Sequence, residues 1–205
     1  MSRPVTIYAE MTPNPKTMKF VADHMLISSG EIVEFLSPSD SKGYSTLADA
    51  LFNFPFVTKI FIAQNFVTVT KNDMIEWSDV SLEMRDFIRE WLMENEKAVQ
   101  KIPEKSKIEI VSDSKTKTTN ISPIINTEMD QKIVDLINEY IQPAVEQDGG
   151  AIHFQSYNED NGQVTVVLKG SCSGCPSSTA TLKGGVENLL KSHIPEINEV
   201  VALNG

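Results

Sequence analysis

Groups that bind metals are scarce in this chain of 205 residues: it has two cysteines and three histidines. Two cysteines are too few for the disulfide framework that staples small secreted domains. No apolar run approaches the roughly 20 residues a helix needs to cross a bilayer, so no membrane partner is expected. Met1-Ser2-Arg3-Pro4-Val5 has neither the apolar core of a secretory signal nor the Arg- and Ser-rich, acid-poor character of a transit peptide, and the expected location is cytoplasmic. Basic charge is scarce as well, with 18 Lys and Arg against 28 Asp and Glu, for a net charge of −10. A nucleic-acid binder draws its affinity from neutralised phosphates, so nucleic acid is not an expected partner.

What is present is an ordinary globular composition, 40% apolar and 22% charged, in a length that suits two domains of roughly 80–100 residues each. Charge divides the chain: residues 1–94 carry a net −5, residues 95–126 a net +2 and residues 127–205 a net −7. In the first segment, residues 5–11 and 18–27 read as strands on either side of Thr12-Pro13-Asn14-Pro15, a turn that cannot continue a sheet. Leu47, Ala50, Leu51 and Phe54 have helical spacing and stop before Pro55. Residues 56–63 and 65–70 form a hairpin pattern about Gln64-Asn65. Val80, Met84, Phe87, Ile88 and Trp91 mark a long helix with Ser78 or Asp79 as its N-cap. From 95 to 126 aromatic residues vanish and Lys, Glu, Ser and Thr follow one another without period, which marks a linker, mobile in its second half. Lys107 to Val111 is the one stretch there with strand character.

The last segment, 127–205, is the clearest. Thr127 precedes a helix with Ile133, Leu136, Ile137, Tyr140, Ile141 and Val145 on one face. Pro143 inside that pattern predicts a kink or a weakened final turn. Gly149-Gly150 stops the helix. Residues 151–157 and 163–169 read as a strand pair about the turn residues 158–162. A helix follows from Pro176, and residues 197–203 form a last strand. The predicted fold is α+β, or α/β at the C-terminal end: two small domains, the second an α-β-β-α-β layer.

Both cysteines fall at the strand-to-helix junction of that layer, in Gly170-Ser171-Cys172-Ser173-Gly174-Cys175-Pro176-Ser177-Ser178. Unsatisfied N–H groups at a helix start favour thiolate, and no acid lies in sequence between Gly162 and Glu187, so thiolate at neutral pH is expected. Gly174 can take a backbone conformation that a Cβ would disfavour. Three chemistries fit two thiols at this spacing. A structural zinc site needs two further ligands, and His153 and His193 read better as a strand residue and a helix-end residue than as ligands. A thioredoxin-like dithiol expects a βαβ setting, and the strand before the motif belongs instead to a hairpin. An iron–sulfur site needs four thiolates, which two chains meeting at this loop would supply.

Residues 127–205 resemble the C-terminal domain of NifU and the Nfu-type iron–sulfur scaffold and carrier proteins. The resemblance rests on Asp148-Gly149-Gly150, on the run Gly170 to Ser178, and on Thr181-Leu182-Lys183-Gly184-Gly185-Val186-Glu187. Residues 5–92 resemble the Nfu N-terminal domain through Thr12-Pro13-Asn14-Pro15, Met18-Lys19-Phe20 and Phe66 to Lys71. The resemblance implies a non-enzymatic protein whose Cys172 and Cys175 are the metal and cofactor ligands. In a homodimer they would share a [4Fe–4S] cluster, with a [2Fe–2S] form left open. It further implies cluster-free client proteins as recipients, an upstream assembly scaffold as donor, and residues 1–94 as an accessory domain. The family often has an acid after Asp-Gly-Gly, and Ala151 stands there in this chain. The alternative function is a thiol–disulfide oxidoreductase using the same dithiol.

Overall fold

The computed structural model describes residues 4–28, 31–95, 97–103, 127–174 and 176–205, with side chains from residue 179 onward in the last stretch. The chain forms two units, Met1–Pro103 and Glu104–Gly205. The expected strand at Lys107–Val111 and most of the expected linker lie outside the described residues.

Five antiparallel strands build the first unit: β1 (Ile7–Met11), β2 (Thr17–Ala22), β3 (Ile32–Phe35), β4 (Val57–Ala63) and β5 (Phe66–Lys71), in the order β1-β2-β5-β4-β3. Two short helices, α1 (Pro38–Ser41) and α2 (Thr46–Leu51), and the long α3 (Trp77–Glu94) complete it. Period-two alternation points Met18, Phe20, Val67, Val69, Ile60 and Ile62 to one face, where they bury with Leu47, Leu51, Met84 and Ile88 of the helices. Ser45 starts α2 by accepting from the Ala48 amide at 3.0 Å. The start of α3 differs from the sequence expectation: it begins at Trp77 behind Glu76, which makes no side-chain cap bond. Trp77 is buried edge-on against Phe20, and this packing fixes the first turn where a Ser or Asp cap does not. Residues 97–102, assigned to the linker on composition, pack on this unit. Ala98 is buried, its carbonyl accepts from the Ser45 hydroxyl at 2.7 Å, and the Gln100 amide donates to the Tyr44 carbonyl.

The second unit runs α4 (Glu128–Leu136), a π-helical turn (Ile137–Ile141), α5 (Gln142–Gln147), β6 (Gly150–Asn158), β7 (Gln163–Gly170), α6 (Pro176–His193) and β8 (Glu199–Asn204). Thr127 and Asp130 close a capping box at the start of α4. The irregularity that Pro143 demands takes the form of the π-helical turn, one extra residue in the helix before the proline that cannot donate. β6 pairs with β7 antiparallel, and β8 pairs with β7 in parallel, Gln163 beside Glu199 through Leu168 beside Asn204. Strand β7 alternates strictly, and Val164, Val166 and Leu168 bury with Ile152, Ile133, Val186 and Leu190. Thus β7-α6-β8 is a βαβ unit. The expectation that the cysteine run lacks such a setting is corrected: β7 serves both the hairpin and the crossover. Among the described residues no helix is long and apolar enough to cross a membrane.

Candidate functional site

The cysteine loop leaves β7 at Gly170 and enters α6 at Pro176. Its first half is tied down from several sides. The Ser171 amide donates to the Gly149 carbonyl at 3.2 Å, and the Ser171 hydroxyl donates to the Asp148 carbonyl. The Ser173 amide and hydroxyl both donate to the Gly170 carbonyl, at 3.2 and 3.1 Å, closing a tight turn around Cys172. From α6 the Thr179 hydroxyl donates to the Cys172 carbonyl at 3.3 Å. From β8 the Asn204 side-chain oxygen accepts from the Gly174 amide at 3.4 Å. Gly174 has φ +85°, as its place in the motif predicts, and a Cβ there would meet nothing within 4 Å. The tip of the loop therefore faces open space, while its root is bonded to the Asp148-Gly149-Gly150 turn.

Cys172 is buried, 7% exposed, and shares its apolar cluster with Ile152, Leu168 and Val186. Burial, the largest cause, pushes its thiol up to about 11; the Asp148 carboxylate adds to the rise and the Ser171 hydroxyl opposes it. This corrects the expectation of a thiolate at neutral pH for this residue. The helix terminus that would stabilise a charge begins only at Pro176, whereas the sulfur points into the core beside an acid that is distant in sequence. Cys175 lies outside the described residues. His153 sits in β6 opposite Val167, and His193 ends α6 with its Nδ1 3.0 Å from the Leu189 carbonyl and its ring 5.7 Å from that of Tyr140. Among the described residues no three His, Cys, Asp or Glu side chains gather into a metal site. Sequence reasoning missed Ser171, Thr179 and Asn204 as anchors. For the turn at 148–150 the sequence offered Gly-Gly at a helix end and the Asp-Gly-Gly motif of the resemblance, neither of which says that it binds the cysteine loop.

A family model described as the N-terminal domain of scaffold protein Nfu/NifU matches residues 7–95, and one described as a NifU-like domain matches residues 133–201. The chain belongs to the Nfu/NifU family. Relatives named NFU1 iron-sulfur cluster scaffold homolog, mitochondrial, cover both domains of this Nfu/NifU chain. That of Drosophila willistoni is 33% identical over 97% of the chain and 63% of its own length. That of Drosophila persimilis is 33% identical over 97% of the chain and 65% of its own length. The chain therefore spans a little under two thirds of these relatives. A solved NifU-like protein from Saccharomyces cerevisiae is 26% identical, with a TM-score of 0.43 over 47% of this chain and 86% of that one. The cytoplasmic expectation is overturned by the relatives' names, which point to mitochondria.

Proposed function

We propose that this Nfu/NifU chain carries an iron–sulfur cluster, held by Cys172 and Cys175 of two copies of the chain, and hands it to cluster-free client proteins. The cluster is cargo, so the chain acts without being an enzyme. Its relatives are named as iron–sulfur cluster scaffolds, which supports the cargo. The observation that carries the two-copy arrangement is the donor deficit. Two thiols are the chain's whole cysteine supply, and no third ligand gathers with Cys172 among the described residues. Four thiolates from two loops complete a [4Fe–4S] ligand set, the nuclearity we favour over [2Fe–2S].

Soft sulfur donors on a loop whose tip opens to solvent suit iron held near a surface. A cluster shared between two loops has a route out: the copies part, or a client thiolate displaces one ligand at a time, each new iron–sulfur bond replacing one that breaks. An upstream scaffold supplies the cluster, and residues 1–94 dock the client as an accessory domain. The two domains would then act through the stretch between them, one holding the client while the other presents its loop.

Alanine at either cysteine tests the ligand assignment. Anaerobic reconstitution of Cys172→Ala and Cys175→Ala should leave neither the iron nor the visible charge-transfer absorbance of the unsubstituted protein. Full absorbance in either variant removes that residue from the ligand set. The dithiol oxidoreductase reading gains from the β7-α6-β8 unit, which is the setting such motifs use. It loses because an attacking cysteine needs a depressed pKa, and burial raises that of Cys172.

A further inference from the structure

Gly150 opens β6, and the residues of that strand on its side, Ile152 and Phe154, point into the core of the second unit. A side chain at position 150 would extend the same apolar row. What occupies that place is the sulfur of Cys172. A Cβ built on Gly150 would stand 2.8 Å from Cys172 Sγ, 3.2 Å from the Cys172 amide nitrogen and 2.7 Å from the Lys169 carbonyl oxygen. A real Cβ tolerates neither the sulfur nor the carbonyl at these distances. The sulfur can swing away, whereas the Lys169 carbonyl yields only by a small shift of the β6–β7 backbone, so a side chain here excludes an inward thiol and also strains the strand pairing. The Asp148-Gly149 turn holds the other side, through Ser171, whose hydroxyl also lies 3.8 Å from Sγ.

We infer that Gly150 is a positioning residue for Cys172: its missing side chain leaves a socket in which the cluster-free protein stows the thiol, and the sulfur must leave that socket to bind iron. The socket itself stands on the geometry alone; the requirement to leave it rests on the cargo reading above. Stowing shields one of the two thiols from oxidants and from disulfide formation while no cluster is bound. Loading then begins with a local opening of the Gly170–Gly174 turn, whose tip has room to move. No covalent bond is made or broken in that opening; what it loosens are the hydrogen bonds that Ser171, Ser173, Thr179 and Asn204 make to the turn.

The test uses the full cluster-free chain with Cys175→Ser, so that Cys172 is the only thiol, and follows its modification by iodoacetamide at one fixed pH by mass. Cys172 should react on the order of tenfold or more slowly in buffer than in urea. Gly150→Ala should remove most of that protection by expelling the sulfur, while circular dichroism shows the fold retained. Should Gly150→Ala unfold, Ser171→Ala decides: Gly150 stays, the bond to Asp148 is lost, and the rate should rise several-fold. Equal rates in buffer and urea, or unchanged protection in the folded Gly150→Ala protein or in its Ser171→Ala substitute, overturn the socket. Iron uptake by the Gly150→Ala chain with both cysteines supplies a readout beyond fold: uptake should begin without the lag of opening, and an identical time course overturns the required exit. A chain that protects Cys172 yet takes up no iron fails the cargo reading and leaves the socket standing.

Discussion

The side-chain oxygen of Gln142 accepts from the backbone amide of Ile152 at 3.2 Å. Gln142 follows the π-helical turn directly, and Ile152 lies on β6, one of the two edge strands of the second sheet. The extra residue in the helix thus presents a side chain that caps an otherwise unpaired edge amide, two residues from the Gly150 socket. Gln142→Ala should cost about 1 kcal/mol of unfolding free energy, the usual loss for such a bond, read as a lower urea midpoint. An unchanged midpoint would show that water replaces Gln142 there.

Thr127 accepts from the Asp130 amide at 3.1 Å, and the Asp130 carboxylate accepts from the Thr127 amide at 3.1 Å. This exchange satisfies two of the backbone amides at the start of α4 that have no partner within the helix. Thr127→Ala should destabilise the second unit by about 1 kcal/mol, and Thr127→Ser by much less. Equal losses for Ala and Ser would place the contribution in packing and not in the cap.

Glu187 joins α6 to β8. One carboxylate oxygen accepts from Lys191 Nζ at 2.6 Å and the other from the Val200 amide at 3.1 Å. These bonds, that of Lys191 first, hold its carboxyl below the ordinary value of 4.5. A lowered carboxyl binds fewer protons folded than unfolded, so its stabilisation is complete above the ordinary value and lost as pH falls through the lowered one. Urea midpoints between neutral and acid pH should fall more steeply for the unsubstituted chain than for Glu187→Gln. Parallel curves would contradict the assignment.

Cys172 gives the opposite limb. Its thiol is raised from 9.0 to about 11, so the folded chain keeps a proton that the unfolded chain gives up. The associated stability is complete below 9.0 and lost as pH rises toward about 11. At one pKa unit per 1.36 kcal/mol the loss is about 3 kcal/mol at most. Cys172→Ala should flatten the alkaline fall in midpoint, and an equally steep fall in that variant would place the titration elsewhere.

Much of the second unit was legible in the sequence because its signals are local. Alternation in Val164, Val166 and Leu168 marks β7, and Thr127 announces its helix with a side chain that can cap it. Pro143 foretold an irregularity, though nothing local says that one residue is inserted rather than the axis bent. Less could be read where the cause is tertiary. β3 and α1 are four residues each and carry no period. The parallel pairing of β8 with β7 leaves no trace in β8 itself, and without it the βαβ unit around the cysteines was invisible. Spacing singled out Cys172 and Cys175 as a thiol pair, and only the family resemblance offered them as ligands. The inward turn of Cys172 was not legible, because it goes with an absent side chain at Gly150 and with the Ser171 bond to the Asp148 carbonyl, groups brought together only by folding.

The claim that two copies share one cluster is tested most directly by sizing the reconstituted protein while measuring iron and sulfide in the same peak. A [4Fe–4S] cluster on four shared thiolates gives a dimer with about two irons per chain, and removing the iron should dissolve that cluster-bridged dimer. Iron-loaded protein eluting as a monomer with about four irons per chain would contradict the shared clamp, whatever the cargo.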